Sequence, residues 1–159
     1  MELLRIYLSD GHAYFGRYGQ PAAPHAIRAV ERVECVTGYG LRGDRFFGYR
    51  PDYKGQVTFF SAEVFAELCA TLRCPDADPA ALRRNLLVRG VDLNTLIGRE
   101  FELQGVRLRA MEECRPCHWM NEAIAPGAED WLRGRGGLRC RVLSTGWLST
   151  SHHAAGAAA

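Results

Sequence analysis

Apolar residues in this chain recur mainly at every second position or in short continuous runs, and only one segment keeps helical spacing for long. LLRIYL (Leu3–Leu8) and AIRAVERVECV (Ala26–Val36) read as strands on either side of the loop DGHAYFGRYGQPAAPH, residues 10–25. A second glycine-rich connection, residues 38–55, leads into the strand QVTFF. Ser61 then stands at an N-cap position, and Val64, Phe65, Leu68 and Leu72 recur at helical spacing behind it. A shorter helix is predicted to open with Asp78 as cap and Pro79 in the first turn and to run through ALRR, residues 81–84. NLLVRG reads as a buried strand. REFELQG and VRLRAME read as a hairpin about Gln104 and Gly105, with Val106, Leu108 and Ala110 alternating against Arg107 and Arg109. A short helix over residues 118–124, the turn RGRGG and a late strand LRCRVLSTG complete the pattern. Many short strands, few helices and no βαβ rhythm predict a mainly β, α+β fold: a mixed, mostly antiparallel sheet closing into a barrel.

Composition narrows the class without changing that picture. The chain has 159 residues, 47% of them hydrophobic and 24% charged, enough for one domain with its own core. Residues 1–148 are expected to form it, with 149–159 as a flexible tail; His152 and His153 read as solvated tail residues. The net charge is only +2, so no overall field argues for nucleic acid or an anionic membrane as partner. No run is long and apolar enough to span a bilayer and the N-terminus has no leader pattern, so the expected location is cytoplasmic. Cationic side chains are nearly all arginine, Lys54 being the only lysine. A guanidinium forks onto oxyanions in a way an ammonium cannot, which suits an anion pocket, although arginine-rich composition has other origins.

Six cysteines, without an export signal and with a core of adequate size, are expected to be reduced thiols. Cys35, Cys69 and Cys140 fall in strand or helix patterns and read as packing residues. Cys114 and Cys117, in EECRPCHWM, occupy a short polar segment. Spacing alone leaves several readings open. A structural zinc site would want a second ligand pair, and none follows. A redox dithiol of the thioredoxin type would want a βαβ setting. A single activated thiolate is favoured by Arg115, and Cys117, just ahead of the predicted short helix, is better placed for it than Cys114. Two half-buried loop thiols remain the plain alternative.

Three other groups could serve such a thiolate. Asp44 and Arg45 sit in the glycine-bounded turn LRGDRFF, where an aspartate also stabilises its own turn. Arg83, Arg84 and Asn85 stand where a helix meets a strand, suited to holding an anion by fork and amide, or simply to ending a helix with charge. Ser61 offers a hydroxyl and backbone N–H groups at a helix start, or an ordinary cap.

GLRGDRFFGY, KGQVTFFSAEVF, LRRNLLVRGVDLNTLIGREFEL and CRPC resemble, in this order, the motifs of MOSC domains, named after the C-terminal domain of molybdenum cofactor sulfurase. The resemblance spans Leu3–Trp147 and implies a β-rich barrel with peripheral helices. It implies binding of the molybdenum cofactor, a pterin dithiolene carrying a phosphate, with Cys117 as metal ligand and Asp44, Arg45, Ser61, Arg83, Asn85 and Arg115 at the cofactor. One branch of the family reduces N-hydroxylated small molecules, and another is linked to sulfur transfer. No iron–sulfur or flavin domain is visible, so the resemblance implies a separate electron-donor protein of flavin, iron–sulfur or cytochrome b5 type, and leaves room for a homodimer. The other implied roles are a sulfur or cofactor carrier using a Cys117 persulfide, and a non-catalytic interaction domain.

Overall fold

The structure, a computed structural model, describes residues 1–14, 17 and 19–151. Among the described residues ten strands form two sheets. The larger has the order β2 (Arg28–Val30), β1 (Glu2–Leu8), β6 (Leu86–Arg89), β5 (Val57–Ser61), β9 (Leu138–Val142), β8 (Val106–Glu113) and β7 (Glu100–Leu103). Every pairing in it is antiparallel except β5 with β6. The smaller sheet has the order β10 (Gly146–Ser149), β3 (Arg32–Val36) and β4 (Gly40–Leu41). The larger sheet curls, and the smaller packs on the same core through Val33, Cys35, Leu41 and Leu148. This is the mainly β, barrel-like fold that the alternation predicts.

Strand periodicity sorts side chains onto two faces. Along β5 Phe59 enters the inner core with Leu86, Val88, Leu108 and Leu138, whereas Phe60 points the other way. There it meets Tyr7, Leu87 and the helix α1 (Ala62–Leu72) through Leu68, with Met120 of α2 (Trp119–Ala123) and Ala128 of α3 (Ala128–Trp131). All five residues of β5 are buried because both faces are covered. The β8 hairpin shows the expected alternation, Val106, Leu108 and Ala110 inward and Arg107 and Arg109 exposed.

Two elements differ from the sequence reading. Ala26–Val36 is not one strand: β2 and β3 join different sheets, and the chain bends at Glu31, whose carbonyl accepts a bond from Thr150 N. The helix expected after Asp78 is a single 3-10 turn, Pro79–Leu82, stopped by Arg83 in the left-handed region at φ 55°. α3, a second 3-10 turn at Leu93–Leu96, and β10 had no decisive pattern of their own. His152 and His153 lie outside the described residues.

Candidate functional site

The site grows from the turn after β4. Gly43 and Gly48 take positive φ, and the loop between them folds back so that the Asp44 carboxylate accepts bonds from Ser9 N at 3.1 Å and Phe46 N at 3.2 Å. Asp44 therefore stabilises its own turn and also staples it to the end of β1. It holds Arg45 Nη1 at 3.5 Å, while Arg45 Nη2 donates to the Arg83 carbonyl at 3.1 Å. Arg83 in turn donates to the carbonyls of His25 at 3.2 Å and Gly11 at 2.7 Å, and to Ser9 Oγ at 3.0 Å. Burial holds both Arg45 and Arg83 below the ordinary guanidinium range, helped by repulsion from Arg84 at Arg45 and from Arg45 at Arg83.

Arg84 crosses to the cysteine segment, donating to Gly136 O at 3.0 Å and Cys114 O at 3.0 Å. Cys114 is buried and Cys117 is exposed at the mouth of α2. Cys114 lies within electrostatic reach of Arg139, whose Nη1 donates to Glu112 Oε1 at 3.5 Å; burial pulls Arg139 down, but Cys114, Tyr53 and Glu112 around it leave it raised overall. Arg139 and Tyr53 were not singled out from the sequence. The alternating LRCRV run does place Arg139 on the face opposite Cys140, which is the one signal available.

Aromatic rings line the approach. His12 lies edge-on to Phe46 at 4.9 Å, Phe46 and Tyr53 are 5.1 Å apart, and Trp119 stacks on Tyr14 at 4.5 Å while donating Nε1–H to the Tyr14 carbonyl. Burial, then Arg45 and Arg83, push the His12 imidazole below its ordinary range. A 480 Å³ opening beside this wall is lined by Tyr14, His118, Trp119 and Glu122.

The expected residues do not all converge. Asp44, Arg45 and Arg83 share one cluster, reached on its far side by Cys114. Arg115 is exposed and lines a solvent-facing cleft with Glu112, Glu113 and Arg139. Asn85 is buried: its Oδ1 accepts from Thr58 N and Oγ1 at 3.0 and 2.9 Å and its Nδ2 donates to Tyr7 O at 3.2 Å. Its amide ties β1, β5 and β6 together. Ser61 is three strand residues beyond Thr58, roughly 10 Å along β5, and its hydroxyl caps α1 through Val64 N at 3.2 Å. It lines a separate 330 Å³ cavity with Glu63, Val64, Leu93 and Arg135. That cavity contains none of the arginine cluster and neither cysteine of CRPC. Among the described residues no three His, Cys, Asp or Glu side chains are grouped to hold a metal by themselves.

No curated protein sequence matches the chain. Among solved structures, the YUAD protein from Bacillus subtilis is similar at 20% identity and a TM-score of 0.72, covering 94% of this chain and 91% of that one. YiiM from Escherichia coli matches at 17% identity and TM-score 0.62 over 93% of this chain and 67% of its own. YiiM from Geobacillus stearothermophilus matches at 13% and 0.64, over 93% and 70%. At these identities the likeness is one of fold. The sequence model of the MOSC domain matches residues 44–152, which include the aspartate–arginine turn, the arginine cluster and CRPC, and the chain belongs to the MOSC domain family.

Proposed function

We propose that this chain binds the molybdenum cofactor and, supplied with electrons by a separate donor protein, reduces N-hydroxylated small molecules. Family membership supports a function related to that cofactor in general. The observation that carries the finer reading is the gathering of Arg45 and Arg83 about one buried carboxylate, Asp44, with Arg84 bridging from their turn to the CRPC segment. Burial and repulsion from a neighbouring guanidinium weigh on Arg45 and Arg83, and an oxyanion among these groups relieves both by charge-assisted hydrogen bonds. The donor set therefore fits a group with an anionic phosphate end and a metal that accepts a soft thiolate.

In this reading Arg45 and Arg83 hold the anionic end, with Arg139 and Arg115 facing it from the cleft, and Asp44 fixes Arg45. Asn85 and Ser61 act at one remove, Asn85 by holding together the strands that the Arg83–Arg84 turn leads into and Ser61 by capping α1. Cys117 is the metal ligand, because it is exposed to an incoming cofactor whereas Cys114 is buried near Arg139. When bound, the cofactor supplies the two-electron chemistry that cleaves an N–O bond; the chain binds, orients and screens it. The exposed Cys117 would also suit a persulfide carrier, which delivers sulfur once and must be recharged.

The test is molybdenum and pterin content per chain in protein from a cofactor-competent host, followed by turnover with reduced viologen and an amidoxime. Cys117→Ala is expected to abolish molybdenum retention and Cys114→Ala to lower it modestly. Equal loss from both sinks the assignment of Cys117. Stoichiometric sulfur transfer from Cys117 without N-hydroxyl reduction selects the carrier instead.

A further inference from the structure

The last turn of α1 brings a second pair of cysteines together, far along the chain from CRPC. Arg73 takes the left-handed conformation at φ 54°, and both its N–H and that of Cys74 fold back onto the Cys69 carbonyl, the latter at 3.0 Å. Such a helix end sets the residue beyond the left-handed position over the one three places before the helix stops, a contact usually made by two apolar side chains. Here both are cysteines, and each lies within electrostatic reach of the other. Covalent geometry limits their separation. With Cys74 N bonded to Cys69 O, the two Cα atoms can be no more than roughly 7 Å apart, within the reach of a disulfide.

Accessibility separates this pair from the buried thiols Cys35, Cys114 and Cys140. Cys69 and Cys74 are both partly exposed. Cys140 lies within electrostatic reach of Cys114, but both are buried, and burial drives Cys140 well above the ordinary thiol range. Cys35 is buried and pushed up to about 12.

We propose that Cys69 and Cys74 are a site of oxidative modification, closing reversibly into a disulfide that locks the last turn of α1. The oxidant is a low-molecular-weight disulfide such as oxidised glutathione. Cys74, in the loop, attacks one glutathione sulfur as the thiolate; an S–S bond forms and one glutathione thiolate leaves. Cys69 then loses its proton and attacks the Cys74 sulfur, and the second glutathione leaves. The protein gives up two electrons and two protons, and two molecules of reduced glutathione carry them away. Burial and the adjacent sulfur push the Cys69 thiol up, which suits it to resolve the mixed disulfide rather than to start it. The bond would tether the end of a helix whose Leu68 and Leu72 pack in the core that also holds Met120 and Ala128.

The experiment incubates the native full chain with excess oxidised glutathione, then maps its peptides without reduction. The peptide containing residues 69–74 should lose the mass of two hydrogens and regain it with dithiothreitol. Exposed Cys117, carrying a glutathione adduct, reports that the oxidant was active. In Cys69→Ser protein, Cys74 should retain the adduct it can no longer resolve. A 69–74 peptide still fully reduced when Cys117 is modified, or a glutathione left on Cys74 of the unaltered chain, overturns the proposal. The outcome is independent of cofactor binding.

Discussion

At the scale of single residues, Asn85 and His12 are the most informative. The Asn85 side chain satisfies three buried groups, Thr58 N, Thr58 Oγ1 and Tyr7 O, and the residue is itself 1% exposed. Asn85→Ala should therefore cost about 1–3 kcal/mol of stability per group left unpaired, seen as a lower urea midpoint before any cofactor is added. A fall in cofactor content with an unchanged midpoint would contradict that assignment. His12 carries the pH dependence. Its folded pKa lies below the ordinary 6.5, so between the two values the unfolded chain binds a proton that the native chain refuses. Stability should fall as pH drops below 6.5 and return as it rises through that value. His12→Phe should flatten this part of the profile in urea titrations at pH 5.5 to 7.5. Asp44 and Arg45 were legible in the sequence because a glycine-bounded turn needs a local acceptor. Arg139 was not, because a strand arginine looks the same whether it meets solvent or a thiol.

At the scale of elements, the glycine turn before β9 is under the tightest constraint. Gly137 has φ 102°, and a Cβ there would lie 2.2 Å from the Phe59 carbonyl oxygen. Gly137→Ala must push β9 from β5 and should cost more than about 3 kcal/mol. Gly134, at φ 78° with open space around it, supplies the control. Gly134→Ala pays only the left-handed backbone term, about 1–2 kcal/mol. Equal midpoints for the two variants would refute the steric argument. The α1 cap is a smaller matter, and Ser61→Ala should lose about 1 kcal/mol. The helix itself was legible, since cap and spacing agree. The 3-10 turn at Pro79–Leu82 was read as longer because nothing local in ALRR announces that Arg83 will turn left-handed, a state imposed by its bonds to Ser9, Gly11 and His25.

At the scale of the whole molecule, the question is how loops from distant parts of the chain hold one arginine cluster. Arg83 grips the segment that follows β1, Arg84 grips the segment that precedes α2, and Arg45 is tied to both by the Arg83 carbonyl and Asp44. Arg83 therefore serves assembly and charge together. Arg83→Ala should lower both cofactor retention and the urea midpoint. Arg139→Gln should lower retention severalfold, less than the roughly 2–5 kcal/mol cost of truncating a fully desolvated charge contact implies, because its side chain is 35% exposed, while moving the midpoint little. Retention measured by pterin fluorescence after gel filtration checks both. An Arg139→Gln protein that keeps its pterin would place the anion elsewhere.

Strand-like alternation, one capped helix and the spaced motifs belong to the sequence by itself, because a side chain's facing along a strand or helix follows from local geometry. From these came the mainly β class, the helix at residues 61–72 and the candidate set around CRPC. Tertiary structure decided the rest. It split residues 26–36 between two sheets, because only the finished barrel determines which edge each half can pair with. It set Asn85 to joining strands and Ser61 to a separate cavity, because a polar residue's partners come from distant segments and its own neighbours do not reveal them. It buried Cys114 near Arg139 and left Cys117 in solvent, a distinction two cysteines three residues apart cannot express until the pairing of β8 with β9, across α2 and α3, brings Arg139 close to one of them.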